Sequence, residues 1–429
     1  MFILRVKYLK IIRSILNNII KIPVIVFFII AMQVIACEKN DSDGLNEQDN
    51  QNENPNYHSL GLQVDNNGVL MKNGKPYRGV GVNYFDAFLR ALKSSDTSYI
   101  KGFQDLKSLN IPFVRFNAGG FWPIDWKLYK ENKGAYFSKL DRLVQNAEKI
   151  GIGLIPSLFW HNATIPDLVG ETVNQWGNPN SKTIEFMRKY TEEVVKRYAD
   201  SPSIWGWEFS NEFNLSVDIP GEVYPQVAVS LGTPATRSAA DKKSTRDLNV
   251  AMEEFVKAVR RDDASRIIFS GNSIPRESAY NLFLNQSWTK DNVDQYTQML
   301  DVQNPDPLNS VTIHVYPQSV TNRFPPNPPT IKEIVQITMG KANKLKKPLF
   351  IGEWGASIGV GVSDLMEQRN VLMNMIQIIE DEKVPLAAYW VFDYSPQESM
   401  GNATLTNSRK YILEEIGKLN GRIRAELGQ

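Results

Sequence analysis

Cysteine and histidine are nearly missing from this chain of 429 residues, which has one cysteine, Cys37, and three histidines, His58, His161 and His314. A single cysteine cannot close an intrachain disulfide, and with three scattered histidines it cannot build a structural zinc cluster. Net charge is also lacking, at +1. Without a basic excess there is no electrostatic footing for nucleic acid, and none is expected as a partner. No glycine-rich phosphate loop opens any helix, because Gly151-Ile152-Gly153 reads as a helix stop, so no nucleotide, metal or other cofactor is expected. What the chain has in quantity is apolar surface, 42% hydrophobic and 10% aromatic residues, enough for a large buried core.

The first 37 residues hold Arg5, Lys7, Lys10, Arg13 and Lys21 and no acid. Residues 22–36 are apolar but shorter than the ~20 residues a membrane span prefers, so residues 1–36 are predicted to be an export signal. Val34-Ile35-Ala36-Cys37 resembles a bacterial lipobox, in which the cysteine is lipidated and becomes the new N-terminus; an ordinary signal or an anchor helix with an incidental cysteine is the alternative. Removing the signal takes the net charge to about −4. Residues 37–60 are polar and acidic and cannot repay the entropy of ordering, so they read as a tether behind the anchor. The expectation is a bacterial lipoprotein, periplasmic or at the cell surface, whose membrane contact is the lipid on Cys37, and a monomer.

From residue 61 to 429 the pattern is strand, loop, helix, repeated. Short β-rich runs fall at 78–83, 112–117, 152–159, 204–210, 266–271, 309–315, 348–353 and 386–392. Amphipathic helical spacing falls between them: Leu140, Leu143, Val144 and Ala147 after a Ser138–Asp141 cap; Leu248, Ala251, Met252, Phe255 and Val259; and Val371, Leu372, Met375, Ile376 and Ile379. Eight such units predict an α/β (β/α)8 TIM barrel, with a doubly wound open sheet as the alternative. Residues 213–247 form a long loop that is expected to wall or cover the barrel mouth. The Pro-rich run 323–330 reads as a stiff connector.

Two strands end on glutamates, Ile204-Trp-Gly-Trp-Glu-Phe-Ser-Asn-Glu212 and Pro348-Leu-Phe-Ile-Gly-Glu353. A charge at the end of a buried strand is costly unless it has a task. Alternation along the first strand turns Glu208, Ser210 and Glu212 to the barrel axis and Trp205, Trp207 and Phe209 outward. Glu208 then lies roughly 13 Å below Glu212 and pairs with a buried base, Arg115 being the candidate. The same rule turns Arg115, His314, Tyr316, Glu353 and Trp390 to the axis near the C-terminal strand ends.

Arg115 after the second strand, His161 after the third, Asn211-Glu212 after the fourth, His314-Val315-Tyr316 after the sixth, Glu353 after the seventh and Trp390 on the eighth resemble glycoside hydrolase family 5. The resemblance covers residues 61–429 in order. It implies a retaining hydrolase of a β-linked polysaccharide, mannan or 1,4-glucan, working by double displacement, with Glu212 as acid/base and Glu353 as nucleophile. It further implies that Arg115, His161, Asn211, His314, Tyr316 and Trp390 orient these two or bind substrate. Trp122 and Trp160 are either further sugar platforms or core. Asn-Glu-Phe stands where the family commonly has Asn-Glu-Pro, which leaves the course of the following loop open. The alternative is a non-catalytic glycan-binding surface lipoprotein on the same scaffold.

Overall fold

A computed structural model describes residues 60–428. The export signal, Cys37 and the tether up to residue 59 lie outside the described residues. Among those described, no helix is long and apolar enough to cross a membrane.

Eight parallel strands form one sheet: β1 (Gly79–Asn83), β2 (Phe113–Asn117), β3 (Gly153–Phe159), β4 (Gly206–Ser210), β5 (Ile267–Phe269), β6 (Val311–Val315), β7 (Leu349–Trp354) and β8 (Leu386–Tyr389). Their order, β5-β4-β3-β2-β1-β8-β7-β6, is the order of a (β/α)8 barrel opened at one seam. At the seam between β5 and β6 side chains replace the backbone ladder. Asn309 accepts from the Ile268 amide at 2.8 Å, and the Ser310 hydroxyl donates to the Ile268 carbonyl at 2.8 Å. The open doubly wound alternative is thereby set aside.

Alternation divides the apolar residues into layers. Outward-facing Val114, Leu154, Trp207, Ile268, Ile313, Ile351 and Ala387 join the helices in the large outer core. Inward-facing Phe113, Ile155, Ile267, Phe269, Phe350 and Leu386 fill the barrel floor. Beneath them an antiparallel hairpin, Leu62–Val64 with Leu70–Lys72, closes the N-terminal end, with Leu62 and Leu70 in the floor cluster and the Leu62 amide bonded to the Trp205 carbonyl at 2.7 Å.

Two expectations are corrected here. Trp205 does not turn outward: the pairing with β3 slips by one residue between Leu154↔Ile204 and Ser157↔Glu208, which breaks the alternation, and it packs in the floor cluster under Phe113. Gly153 makes this possible, since a Cβ there would sit 2.3 Å from the indole. Ser138 is not a cap but lies inside a helix, Lys133–Ile150, whose cap is Asn132, accepting from the Ala135 amide. Gly151 ends that helix with φ +74°, a left-handed conformation that costs glycine little.

The seventh strand carries the irregularity that matters for the site. Its pairing shifts register on both sides after Ile351, before Glu353 against β6 and before Trp354 against β8. Phe350 faces inward, so unbroken alternation would send Glu353 out into the helices. The bulge at Gly352 adds one residue, which turns Glu353 to the axis and Trp354 into the outer core.

Trp205 is the largest ring of the floor cluster, so Trp205→Ala leaves a cavity that the paired strands around it cannot collapse into. A loss of about 3–5 kcal/mol is expected. Denaturant titration followed by circular dichroism measures it; a variant within about 0.5 kcal/mol of the parent would show that the floor does not depend on this ring.

Candidate active site

The site is assembled around a guanidinium. Arg115 projects from β2 to the axis, fully buried, and its Nε donates to Glu208 Oε1 at 2.7 Å. Nη1 donates to Asn83 Oδ1 and to Glu353 Oε1, both at 2.9 Å, and Nη2 donates to Asn211 Oδ1 at 2.8 Å. The guanidinium carbon lies 4.5 Å from the Trp160 ring centroid, a cation–π contact on the remaining face. Asn83 returns the connection to β7 by donating Nδ2 to the Gly352 carbonyl at 2.9 Å, at the bulge. With its oxygen held by Arg115, the Asn211 side chain turns its amide NH2 toward the cleft.

Glu353 accepts a second hydrogen bond, from the Tyr316 hydroxyl to Oε2 at 2.7 Å. Glu212 stands beyond the end of β4 in the left-handed region, with φ +53° and ψ +28°, a conformation costly for a residue with a Cβ. It is held there because its amide bonds to the Gly271 carbonyl at 2.8 Å. Gly271, at φ +71°, lets the two strand ends approach, since a Cβ there would lie 1.7 Å from the Ser210 oxygen. His314 Nδ1 is 2.9 Å from Glu212 Oε1 and 3.6 Å from Glu353 Oε2. One carboxylate oxygen of each glutamate and the imidazole nitrogen fall within 4.8 Å of one another. That spacing could admit a divalent cation, but the guanidinium on Glu353 already brings the positive charge a cation would.

Electrostatics separates the members. Burial raises the proton affinity of Glu208, Glu212 and Glu353. For Glu353, His314, Arg115 and the Tyr316 hydroxyl act in the opposite direction, while Glu212 pushes it further up. One guanidinium faces three carboxyls, so the cluster favours keeping one proton. Glu208 and Glu353 both accept from Arg115, whereas among the described residues no such cation is bonded to Glu212, on which Arg115 and Arg276 act only through space, so burial raises its proton affinity with less to oppose it. Burial pushes His314 down to about 3, so it is neutral. Its Nε2 has no partner among the described residues, which favours the tautomer with the proton on Nδ1, because an unmet acceptor costs less than an unmet donor.

These groups open into a cleft of about 610 Å³ at the C-terminal ends of the strands. Trp390 lies on one side with its indole N–H fixed on Gln397 Oε1 at 2.6 Å, beside Trp160, Phe85 and Tyr394. His161 does not line the cleft beside the glutamates, contrary to the expectation for it. Its Nδ1 is 3.2 Å from the Thr164 hydroxyl and its ring stacks on Phe121 and against Trp122, so the neighbouring Trp160 takes the place by the cleft. The 213–247 loop is pinned rather than free. Arg237 grips Asp167 with two bonds of 2.6 and 2.8 Å, and of this loop Leu215 reaches the cleft. Phe213, standing where proline is common, is buried among Trp176 and Phe209. Asn83, Ser273, Arg276 and Gln397 belong to the site and escaped sequence reading; Arg323 escaped too, hidden in what looked like a connector.

The sequence pattern of the cellulase family, glycosyl hydrolase family 5, matches residues 72–395, and the chain belongs to that family. A stretch of 80 residues, 17% of this chain, is 36% identical to the mannan endo-1,4-β-mannosidase A of Podospora anserina. The matches span about a fifth of the length of the curated relatives. The fold is similar to that of the endo-1,4-β-mannanase from Rhizomucor miehei, with TM-score 0.60 and 18% identity over 85% of this chain and 99% of that one. It is also similar to a β-glucanase from Saccharophagus degradans, with TM-score 0.52 and 17% identity over 86% and 94% of the two chains.

The buried histidines make a pH signature of the fold. His314 and His161 are depressed from 6.5 to about 3 and about 4, both first by burial, so the unfolded chain binds protons that the folded one refuses. Their contribution to stability is complete above pH 6.5 and falls as the pH drops, levelling off near 4 for His161 and near 3 for His314. In His161→Gln the dependence of unfolding free energy on pH between 6.5 and 4 should lose the slope of one proton. An unchanged slope, measured by denaturant titration across that range, would contradict a neutral buried His161.

Proposed function

We propose that this family 5 enzyme is a retaining β-glycanase that cleaves 1,4-linked mannan, with 1,4-glucan as the second candidate, using Glu353 as nucleophile and Glu212 as general acid/base. The observation that carries the reading is the approach of the two carboxylates within 4.8 Å across the barrel mouth, bridged by one imidazole. Retaining enzymes hold their carboxyls about 5–5.5 Å apart, whereas inverting enzymes need about 6.5–9.5 Å to admit a water.

Glu353, ionised by its bonds from Arg115 and Tyr316, attacks the anomeric carbon from below the sugar. Glu212 gives its proton to the departing glycosidic oxygen, and a glycosyl–Glu353 ester forms. Glu212, now a carboxylate, takes a proton from water, and the hydroxyl displaces Glu353 to release the sugar. His314 donates Nδ1–H to Glu212 and eases the repulsion between the two carboxylates when both are charged. The free amide NH2 of Asn211 is placed for a sugar hydroxyl, a bond that strengthens as positive charge develops on the ring. Trp390 offers an apolar face to the sugar's C–H bonds. Mannan is preferred because the local curated match is to a mannosidase and because of the His314-Val-Tyr-Pro317 and Trp160-His-Asn162 runs. From the sequence we also propose export and membrane attachment through a lipid on Cys37.

Glu353→Ala is expected to abolish reducing-end release from β-mannan, β-1,4-glucan, xylan and aryl glycosides alike while circular dichroism stays unchanged. Glu212→Ala should lose on the order of 10²–10⁴-fold on polysaccharide and much less on aryl glycosides whose leaving group needs no proton, with the alkaline limb of the pH profile gone. Full activity of the Glu353 variant would refute the nucleophile assignment, and a parent silent on every substrate would favour a binding protein. Cys37→Ala should move the chain from the membrane fraction to the soluble one; persistence in the membrane would reject the lipid anchor.

A further inference from the structure

The cleft has two unlike arcs. The loops after β8, β1, β2 and β3, consecutive in the barrel, supply Trp390, Tyr394, Phe85, Phe121 and Trp160, which are aromatic. The loops after β5 and β6, flanking Glu212, supply Ser273, Arg276, Glu277 and Arg323. The acid/base carboxyl must stand on the side of the departing oxygen, so the second arc holds the leaving group.

The two arginines of this arc, Arg323 buried and Arg276 half-buried, lack the ion-pair partners that other buried arginines of the chain have. Arg115 pairs with Glu208 and Glu353, Arg266 with Asp263 at 2.7 Å and Arg409 with Glu398 at 2.7 Å. Arg323 is as buried, at 3% exposure, and has no ion pair among the described residues. Its Nε and Nη2 donate to the peptide carbonyls of Ser319 and Pro275, and Nη1 has no protein acceptor among the described residues. Arg276 donates Nε to the Leu215 carbonyl at 2.5 Å and leaves both Nη groups without an acceptor among those residues. Glu277 shares this wall but is engaged by Lys290 at 2.6 Å, and Asp291 by the amides of Tyr280 and Asn281. A buried guanidinium without an ion pair, as at Arg323, is expensive, and the planar fork that half-buried Arg276 leaves open, with Glu277 and Glu212 acting on it only through space, matches a carboxylate.

We propose that Arg276 and Arg323 form a carboxylate-binding subsite on the leaving-group side, so that the preferred substrate is a β-linked glycan carrying a uronic acid unit there. The proposal rests on the hydrolase reading above and deepens it. Arg276 supplies the fork, while Arg323, anchored to two carbonyls, fixes the loops after β5 and β6 and adds its remaining N–H.

The test compares β-1,4-mannotetraose and β-1,4-cellotetraose with the same tetrasaccharides carrying a uronate as the reducing-terminal unit only. A charge-assisted pair predicts kcat/KM about tenfold higher or more on the acidic member, mainly through KM, with the preference shrinking as salt is raised. In Arg276→Gln the acidic and neutral members should come within about twofold, and Arg323→Lys, which keeps the charge, should retain part of the preference. If the parent cleaves the neutral tetrasaccharides with no preference for the acidic ones, or Arg276→Gln keeps it, the subsite is refuted while the hydrolase reading stands. If the parent cleaves neither kind, the hydrolase reading fails and the subsite with it.

Discussion

One buried guanidinium holds the working end of this barrel together. Arg115 reaches Asn83 from β1, Glu208 from β4, Asn211 just beyond it and Glu353 from β7, and lies on Trp160 after β3. A charge so placed would be strongly destabilising alone, and Glu208 offsets it permanently from below. Glu208 therefore explains why Glu353 can be a shared rather than a captive partner. Its Oε1 accepts directly from Arg115, and the guanidinium's charge is divided between two carboxyls. Replacing Arg115 by lysine would keep a charge but not the three-way fork.

The second constraint is geometric. Both glutamates sit where the backbone departs from regularity: Glu212 in a left-handed conformation past β4, Glu353 one residue after a bulge in β7. Each departure depends on a glycine. Gly271 admits the close passage of the β4 end, and Gly352, whose Cβ would lie 2.9 Å from His314 Nε2, leaves room for the imidazole that bridges the pair. The left-handed backbone at Glu212 and the bulge before Glu353 thus place the two carboxylates the proposed chemistry uses, on a scaffold whose floor and outer core are closely filled.

How far the sequence could be read follows from these same residues. The strands were legible because apolar runs of strand length alternate with amphipathic helices, and the depth of Glu208 below Glu212 followed from strand rise alone. Family likeness brought Arg115, Asn211, His314, Tyr316, Glu353 and Trp390 to the strand ends, and the structure gathers them around one cleft. His161 was misplaced because one residue separates a ring facing the cleft from a ring packed on Phe121, and Trp160 occupies the facing position. Trp205 was misplaced because the pairing of its strand with β3 slips by one residue just there, and a slip in register is not visible in an apolar run. Arg276 and Arg323 were invisible because nothing in a loop sequence distinguishes a solvated arginine from one that folding covers in part, as at Arg276, or almost wholly, as at Arg323; that difference arises when two distant loops fold against each other.

In the proposed displacement reaction the two arcs of the cleft divide the work. A sugar passing through a positively charged transition state gains from the negative field of Glu353 and from a flat apolar floor that does not compete for its hydroxyls. A fixed cation close to that ring would oppose the charge it develops. Arg115, the cation nearest the nucleophile, is screened by Glu208 and Glu353 and covered on one face by Trp160, so its field at the ring is reduced. The cations without ion pairs among the described residues, Arg276 and Arg323, stand instead in the loops beside Glu212, where the departing oxygen would gain negative character. Charge in this cleft is thus arranged along the direction in which the bond breaks.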